Sequence, residues 1–206
     1  MFGQDFLHKA LIGAPIILFS LTVHEFFHAW SAFRFGDTTA RDQGRLTLNP
    51  LAHLDLTGVL VMVVSQFRFG WARPVPVNPL NLRNPRVANL WISAAGPLSN
   101  VGLAVIAGLV YRSVLVLDLA LPPMFIEFLT TAVAINIILA FFNLVPLFPL
   151  DGSHILKSLV GYDVAARIER FDRFAPFVLI LLVITGVLWI FLWPPVAVII
   201  SLILGQ

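Results

Sequence analysis

Residues 10–34 read ALIGAPIILFSLTVHEFFHAWSAFR, and two features in this stretch pull against each other. No charge occurs as far as Val23, and as a helix the whole stretch can cross a hydrocarbon core roughly 30 Å thick at about 1.5 Å per residue. His24, Glu25 and His28 then place three ionisable groups near membrane depth. Such groups are costly in lipid and point to a function. In a helix, residues four apart lie on one face, one above the other, so His24 and His28 form a pair. Two imidazoles at that spacing can grip one metal ion. Glu25, adjacent to the first, is placed to take a proton from a water at that metal.

The rest of the chain repeats the membrane signal. Of 206 residues, 59% are hydrophobic and 12% charged, with a mean hydropathy of +0.92. Soluble domains carry roughly 25% charged residues. Charge-poor runs place four spans at about 8–34, 87–111, 124–148 and 174–195. A fifth run, LTGVLVMVVSQF (56–67), is too short for a full crossing and reads as a re-entrant element, with a short tilted span as the alternative. Prolines at 74, 76, 79 and 85 exclude a helix after it. The alternation in ARPVPVNPL fits an extended or edge strand within a small strand region over 68–82, with a plain structural hairpin the simpler reading of the residues, and an exposed edge there could pair with an extended peptide. GYDVAARIERFDRF sets Val164, Ile168 and Phe171 at helical spacing among charges, an amphipathic surface helix over 161–173. The fold class is therefore an all-α polytopic membrane protein forming one domain over 1–206, with about four transmembrane helices, a re-entrant or short fifth segment and a small strand region.

Charge placement orients it. Arg34, Arg41, Arg45, Arg68, Arg73, Arg83 and Arg86 lie between the first two spans, and Lys157, Arg167, Arg170 and Arg173 between the last two. Only Lys9 and Arg112 fall on the other side. The positive-inside rule puts the first group in the cytoplasm, both termini outside, and HEFFH near the cytoplasmic face. His28 is six residues from Arg34, about 9 Å along a helix. The net charge of +2 is thus a topology signal, and no nucleic-acid partner is expected. Without cysteine there is no disulfide framework.

A catalytic zinc site usually takes three protein ligands and a water. The third ligand has four candidates: His53, Asp55, Asp151 and His154. Asp151 closes the third span on the same side as His28, after Pro146 and Pro149, which break the helix and free the backbone to aim its carboxylate inward. His53 and Asp55 sit in a turn-rich loop and read as capping or surface groups. His154, three residues past Asp151, shares its helical face. Asn100 and Asn136 can bond between helices, and the small pairs Ala95/Ser99 and Ala104/Gly108 allow close helix contact.

Three motifs in order, HEFFH, then AAGPLSN (94–100), then NLVPLFPLDG (143–152), resemble those of the site-2 protease family of intramembrane zinc metalloproteases. The prolines of the third are three residues apart here. The match runs from 24 to 154, and the chain is similar to a compact member without PDZ or CBS domain, its HExxH span coming first. The resemblance implies that His24, His28 and Asp151 bind one zinc ion and that Glu25 is the general base. It implies that Asn143 and Asn100 contact the substrate backbone or oxyanion, the substrate being a transmembrane protein cleaved in or near its span, in a prokaryotic cell (inner) membrane. Two other functions fit the same residues: a catalytically silent relative that binds membrane proteins, and a metal transporter. Oligomeric state is left open.

Overall fold

A computed structural model of the chain, describing residues 4–65 and 70–206, is mostly helical. Four helices among the described residues are long and apolar enough to span a membrane: α1 (Gln4–Arg34), α4 (Pro85–Val116), α5 (Pro123–Asn143) and α9 (Val187–Leu204). The short helices α2 (Thr39–Asp42) and α3 (Leu56–Val64) lie between α1 and α4. Between α5 and α9 lie α6 (Asp151–Leu159), α7 (Tyr162–Phe171) and α8 (Ala175–Ile184).

Local chemistry sets these limits. Asn84 accepts from the Val87 N–H, and Pro85 follows it at the first helical position, where its missing N–H costs nothing. Asp55 caps α3 by accepting from the Gly58 N–H at 2.8 Å. Thus Asp55 is a cap, as one of its sequence readings had it. The nine residues of α3 rise about 13 Å, less than the hydrocarbon core is thick; residues 66 and 67 of that run lie outside the described residues. α7 matches the expected amphipathic helix.

α4 is the hub and packs on α1, α5, α6 and α9. One apolar cluster joins Ile12 and Ile16 of α1, Ala107 and Tyr111 of α4, Leu129 and Val133 of α5, and Leu204 of α9. Gly108 lets α9 approach, since a Cβ there would lie 2.1 Å from Ile203 Cγ2. Burying polar side chains in this bundle requires partners, and those partners build the site described below.

Three boundaries differ from the sequence reading. The third span ends at Asn143 rather than near 148, because Pro146 and Pro149 deny the next turn its N–H groups. The last apolar run is split: α8 ends at Ile184, Gly186 adopts φ +76°, and the spanning helix is Val187–Leu204 rather than 174–195. A positive φ suits glycine and ends a helix even in a uniformly apolar stretch.

The third difference is larger. The small β-strand region expected over 68–82 is not found: among the described residues it contributes one isolated antiparallel bridge, Leu54 with Ala72, and no strand. Residues 68 and 69 lie outside the described residues. Residues 72–78 are instead an extended strap held by side chains. Arg45 donates to the carbonyls of Arg73 and Pro74, and the Arg73 N–H donates to the His53 carbonyl at 2.8 Å. Asp37 accepts from the Asn78 N–H at 2.7 Å and from the Asn81 amide at 2.9 Å. Several of the strap's backbone groups are thus bonded to side chains and loop carbonyls rather than to a neighbouring strand.

Asp37 also accepts from the Thr39 N–H at 3.0 Å and from its hydroxyl, while its residue is wholly buried. Burial pushes its carboxyl up, but these Thr39, Asn81 and Asn78 hydrogen bonds hold it below the usual range. Replacing Asp37 by Ala strands several buried donors and should cost about 2–4 kcal/mol. The Asp37→Asn variant isolates the charge. A depressed carboxyl stabilises fully above its unfolded pKa of about 3.9 and loses that contribution as pH falls through the folded value. Unfolding midpoints should therefore show a gap between wild type and Asp37→Asn that is constant from neutrality to about pH 4 and closes below it. A gap independent of pH refutes the assignment.

Candidate metal centre

HEFFH lies within α1, where the four-residue step stacks His24 above His28 on one buried face. The carboxylate comes from across the bundle. Asp151 is the first residue of α6, and the loop 144–150 folds back tightly against that helix. Gly152 makes the approach possible: a Cβ there would lie 2.2 Å from the Leu144 carbonyl oxygen and 2.5 Å from that of Val145.

The three side chains converge. His24 Nε2 is 3.2 Å from Asp151 Oδ2, His28 Nε2 is 3.4 Å from Oδ1, and the two Nε2 atoms are 2.9 Å apart. What matters is where the protons are. His28 Nδ1 is 2.6 Å from the Ile92 carbonyl oxygen, which can only accept, so that nitrogen carries the proton. His24 Nδ1 is 2.6 Å from Asn100 Oδ1. The orientation of that amide is fixed, because Asn100 Nδ2 donates to Asn136 Oδ1 at 3.0 Å and to the Ser20 carbonyl at 3.4 Å. Asn136 is fixed in turn by donating to the Ala132 carbonyl at 2.9 Å. A relay of amides ending on main-chain carbonyls therefore puts the proton of His24 on Nδ1 as well.

Both Nε2 atoms then present bare lone pairs to each other and to a carboxylate, with all three ligand atoms within 4.8 Å. Asp151 Oδ2 is buried without a hydrogen-bond donor. Acceptors do not gather like this unless a cation holds them. One extra proton can bridge one pair of these atoms, whereas an ion among them satisfies all three. Two neutral imidazoles and a carboxylate, each imidazole oriented through its other nitrogen, make a donor set that fits zinc.

The floor of the site is α4. A Cβ on Gly96 would lie 2.4 Å from His28 Nε2 and 2.5 Å from His24 Nε2. Glu25, buried beside the pair, accepts from the Val75 N–H at 3.1 Å. Pro74 and Pro76 have no N–H, so Val75 supplies the one donor of that triplet and spends it here. Arg45, which anchors the same strap, is 5% exposed, so a guanidinium is held in the loop layer over Glu25.

The remaining sequence candidates separate cleanly. His53 is 2% exposed, bonds through Nε2 to the Thr47 carbonyl and lies outside the cluster; it is a buried loop anchor rather than a surface group. His154 is exposed and meets the Phe148 ring edge to face. Asn100 is wholly buried, its amide spent on His24, Asn136 and Ser20, so it faces a ligand of the site rather than an open cleft. Asn136 bonds between helices, as read. Asn143, at the end of α5, donates to the Leu139 carbonyl one turn back. Gly96, Asp37, Arg45 and the Ile92 carbonyl were not singled out as site residues by their sequence signals.

The fold and this cluster are those of a helical protein with four candidate membrane spans and a buried candidate metal site between them. Residues 119–185 match the model of peptidase family M50. The chain is 39% identical over 182 residues to YwhC of Bacillus subtilis, which bears the name of a zinc metalloprotease, across 86% of this chain and 82% of that protein. It is 37% identical over 93 residues to Rip2 of Mycolicibacterium smegmatis, similarly named, across 43% of this chain and 35% of that one. The chain belongs to peptidase family M50, the site-2 protease family, as its three motifs suggested. No solved structure matches it.

Proposed function

We propose that the chain is an intramembrane zinc protease that hydrolyses peptide bonds in or near transmembrane segments of membrane proteins, with one ion held by His24, His28 and Asp151. The observation that carries this is the convergence of a carboxylate with two imidazole nitrogens whose ring protons point away from it. Bound zinc would polarise a scissile carbonyl and lower the pKa of a water to about 7.

The chain's own residues do the rest. Glu25 accepts a proton from the attacking water and returns it to the departing nitrogen. Asn100 and the Ile92 carbonyl keep both imidazoles turned ligand side inward, so no reorientation is needed during reaction. Asn143, eight residues before Asp151, is the proposed contact for the substrate backbone. A helical peptide bond is shielded, so the substrate has to unwind locally, and the strap over Glu25 has to yield the Val75 hydrogen bond to admit it. Arg34 at one end of α1 and the basic loops support, by the positive-inside rule, a site near the cytoplasmic face with both termini outside.

The test is cleavage of a purified single-span substrate co-reconstituted in liposomes. Activity should disappear with a chelator and return with stoichiometric zinc. Cleavage indifferent to chelation sinks the proposal, as does a fully zinc-loaded protein that cleaves nothing. Zinc transport into the same liposomes would favour the transporter.

A further inference from the structure

α1 and α4 bound a second feature that the proteolytic site does not use. An open groove of about 590 Å³ runs between them, lined by Val23, Phe27, Trp30 and Arg34 of α1 and by residues of α4 that include Trp91 and Gly102. Its walls are apolar except for two serines and, at its mouth, the Arg34 guanidinium. Arg34 lies over the Trp30 ring, 5.8 Å from its centroid, and makes no ion pair with a carboxylate among the described residues.

Helix geometry separates this groove from catalysis. Val23, Phe27, Trp30 and Arg34 are spaced i, i+4, i+7 and i+11, which with Ser31 beside them is one stripe. Glu25, two residues from Val23, is about 200° around the helix from that stripe. An occupant of the groove cannot meet the proposed base. Along α1 the stripe rises about 16 Å, close to half of the roughly 30 Å hydrocarbon core. It therefore serves one leaflet, whereas a substrate helix would need the full depth.

We infer that this groove binds an anionic glycerophospholipid, with an acyl chain along Phe27 and Gly102 and the phosphate on Arg34. The charge fits: Arg34 is the one cation lining the groove among the described residues, and Trp30, 44% exposed, and Trp91, 52% exposed, line it too, the aromatic types that settle at headgroup level. The space beside Gly102 is open, since a Cβ there would meet nothing within 4 Å. The inference stands whether or not the chain cleaves peptides.

The experiment is native mass spectrometry of the purified full chain, exchanged into micelles holding equal phosphatidylglycerol and phosphatidylcholine. Wild type should retain phosphatidylglycerol in clear excess. Arg34→Gln should lower that preference about fivefold, the worth of one basic residue near a lipid surface. Gly102→Leu, which fills open space without a clash, should lose both lipids while its unfolding temperature stays that of wild type. Equal retention of the two lipids by wild type, or undiminished preference in Arg34→Gln, overturns the inference. So does a photocrosslinker at position 102 that captures a second copy of the chain or a substrate helix instead of lipid.

Discussion

Glu25→Gln should leave zinc stoichiometry unchanged and slow peptide cleavage by about 10²–10⁴, the usual worth of a positioned general base. The substitution is informative because it preserves nearly everything else. Glu25 lies outside the three-ligand cluster, so a neutral side chain there removes no donor to the metal. Its one described hydrogen bond, from the Val75 N–H, is kept, since a glutamine carbonyl oxygen accepts as a carboxylate does. The strap therefore stays seated, and what is lost is the capacity to take up a proton. Single-turnover cleavage of a reconstituted substrate, read beside elemental analysis of the same preparation, separates the possibilities. A variant cleaving at the wild-type rate removes Glu25 from the chemistry. One that also loses its zinc makes Glu25 a ligand and requires the site to be redrawn.

The same reasoning shows which parts of the site a sequence displays. HEFFH was legible because two physical rules point to the same residues: helical spacing pairs the histidines, and the cost of ionisable groups in lipid demands a use for them. Asp151 was legible through topology and the prolines before it, which make a helix end where a carboxylate can turn inward. Asp37 and Arg45 were not. Asp37 reads as a turn former and Arg45 as one more positive-inside charge, and nothing local says that each reaches a strap some 30 to 40 residues later.

The strap itself was misread for a related reason. Alternation in ARPVPVNPL predicts extended backbone, and the backbone is extended; but alternation does not say whether another strand or a set of side chains will satisfy it. Here Arg45, Asp37 and Glu25 bond four of its backbone groups. The break at Gly186 was hidden differently. Within a run with no charged residue, hydropathy carries no positional information, and only the glycine's conformational freedom marks the boundary. Asn100 shows the limit of motif inference. Its position in AAGPLSN suggested substrate contact, whereas its amide is spent fixing the proton of His24, two contacts deep in a relay that begins on α5.

Gly96→Ala should empty the metal site, and the reason lies in that relay. A methyl at 96 would sit 2.4 Å from His28 Nε2 and between 2.5 and 2.6 Å from two atoms of the His24 ring, so both imidazoles would have to move. Neither can do so freely. Swinging His24 breaks its bond to Asn100, and swinging His28 breaks its bond to the Ile92 carbonyl, each leaving buried polar atoms unpaired. Retreat of α4 is the other escape, but α4 is packed on α1, α5, α6 and α9 together. Overpacking of this kind costs about 1–3 kcal/mol, which a folded bundle survives, so the expected phenotype is a folded protein with far less than one zinc per chain and no measurable cleavage. The matched control is on the same helix: Gly102→Ala adds the same methyl into open space and should keep both metal and activity. Elemental analysis of the monodisperse fraction decides it without reference to substrate. Full zinc occupancy in Gly96→Ala would mean that the two imidazoles do not bind the ion through the nitrogens that face Gly96, and the proposed coordination would fall with it.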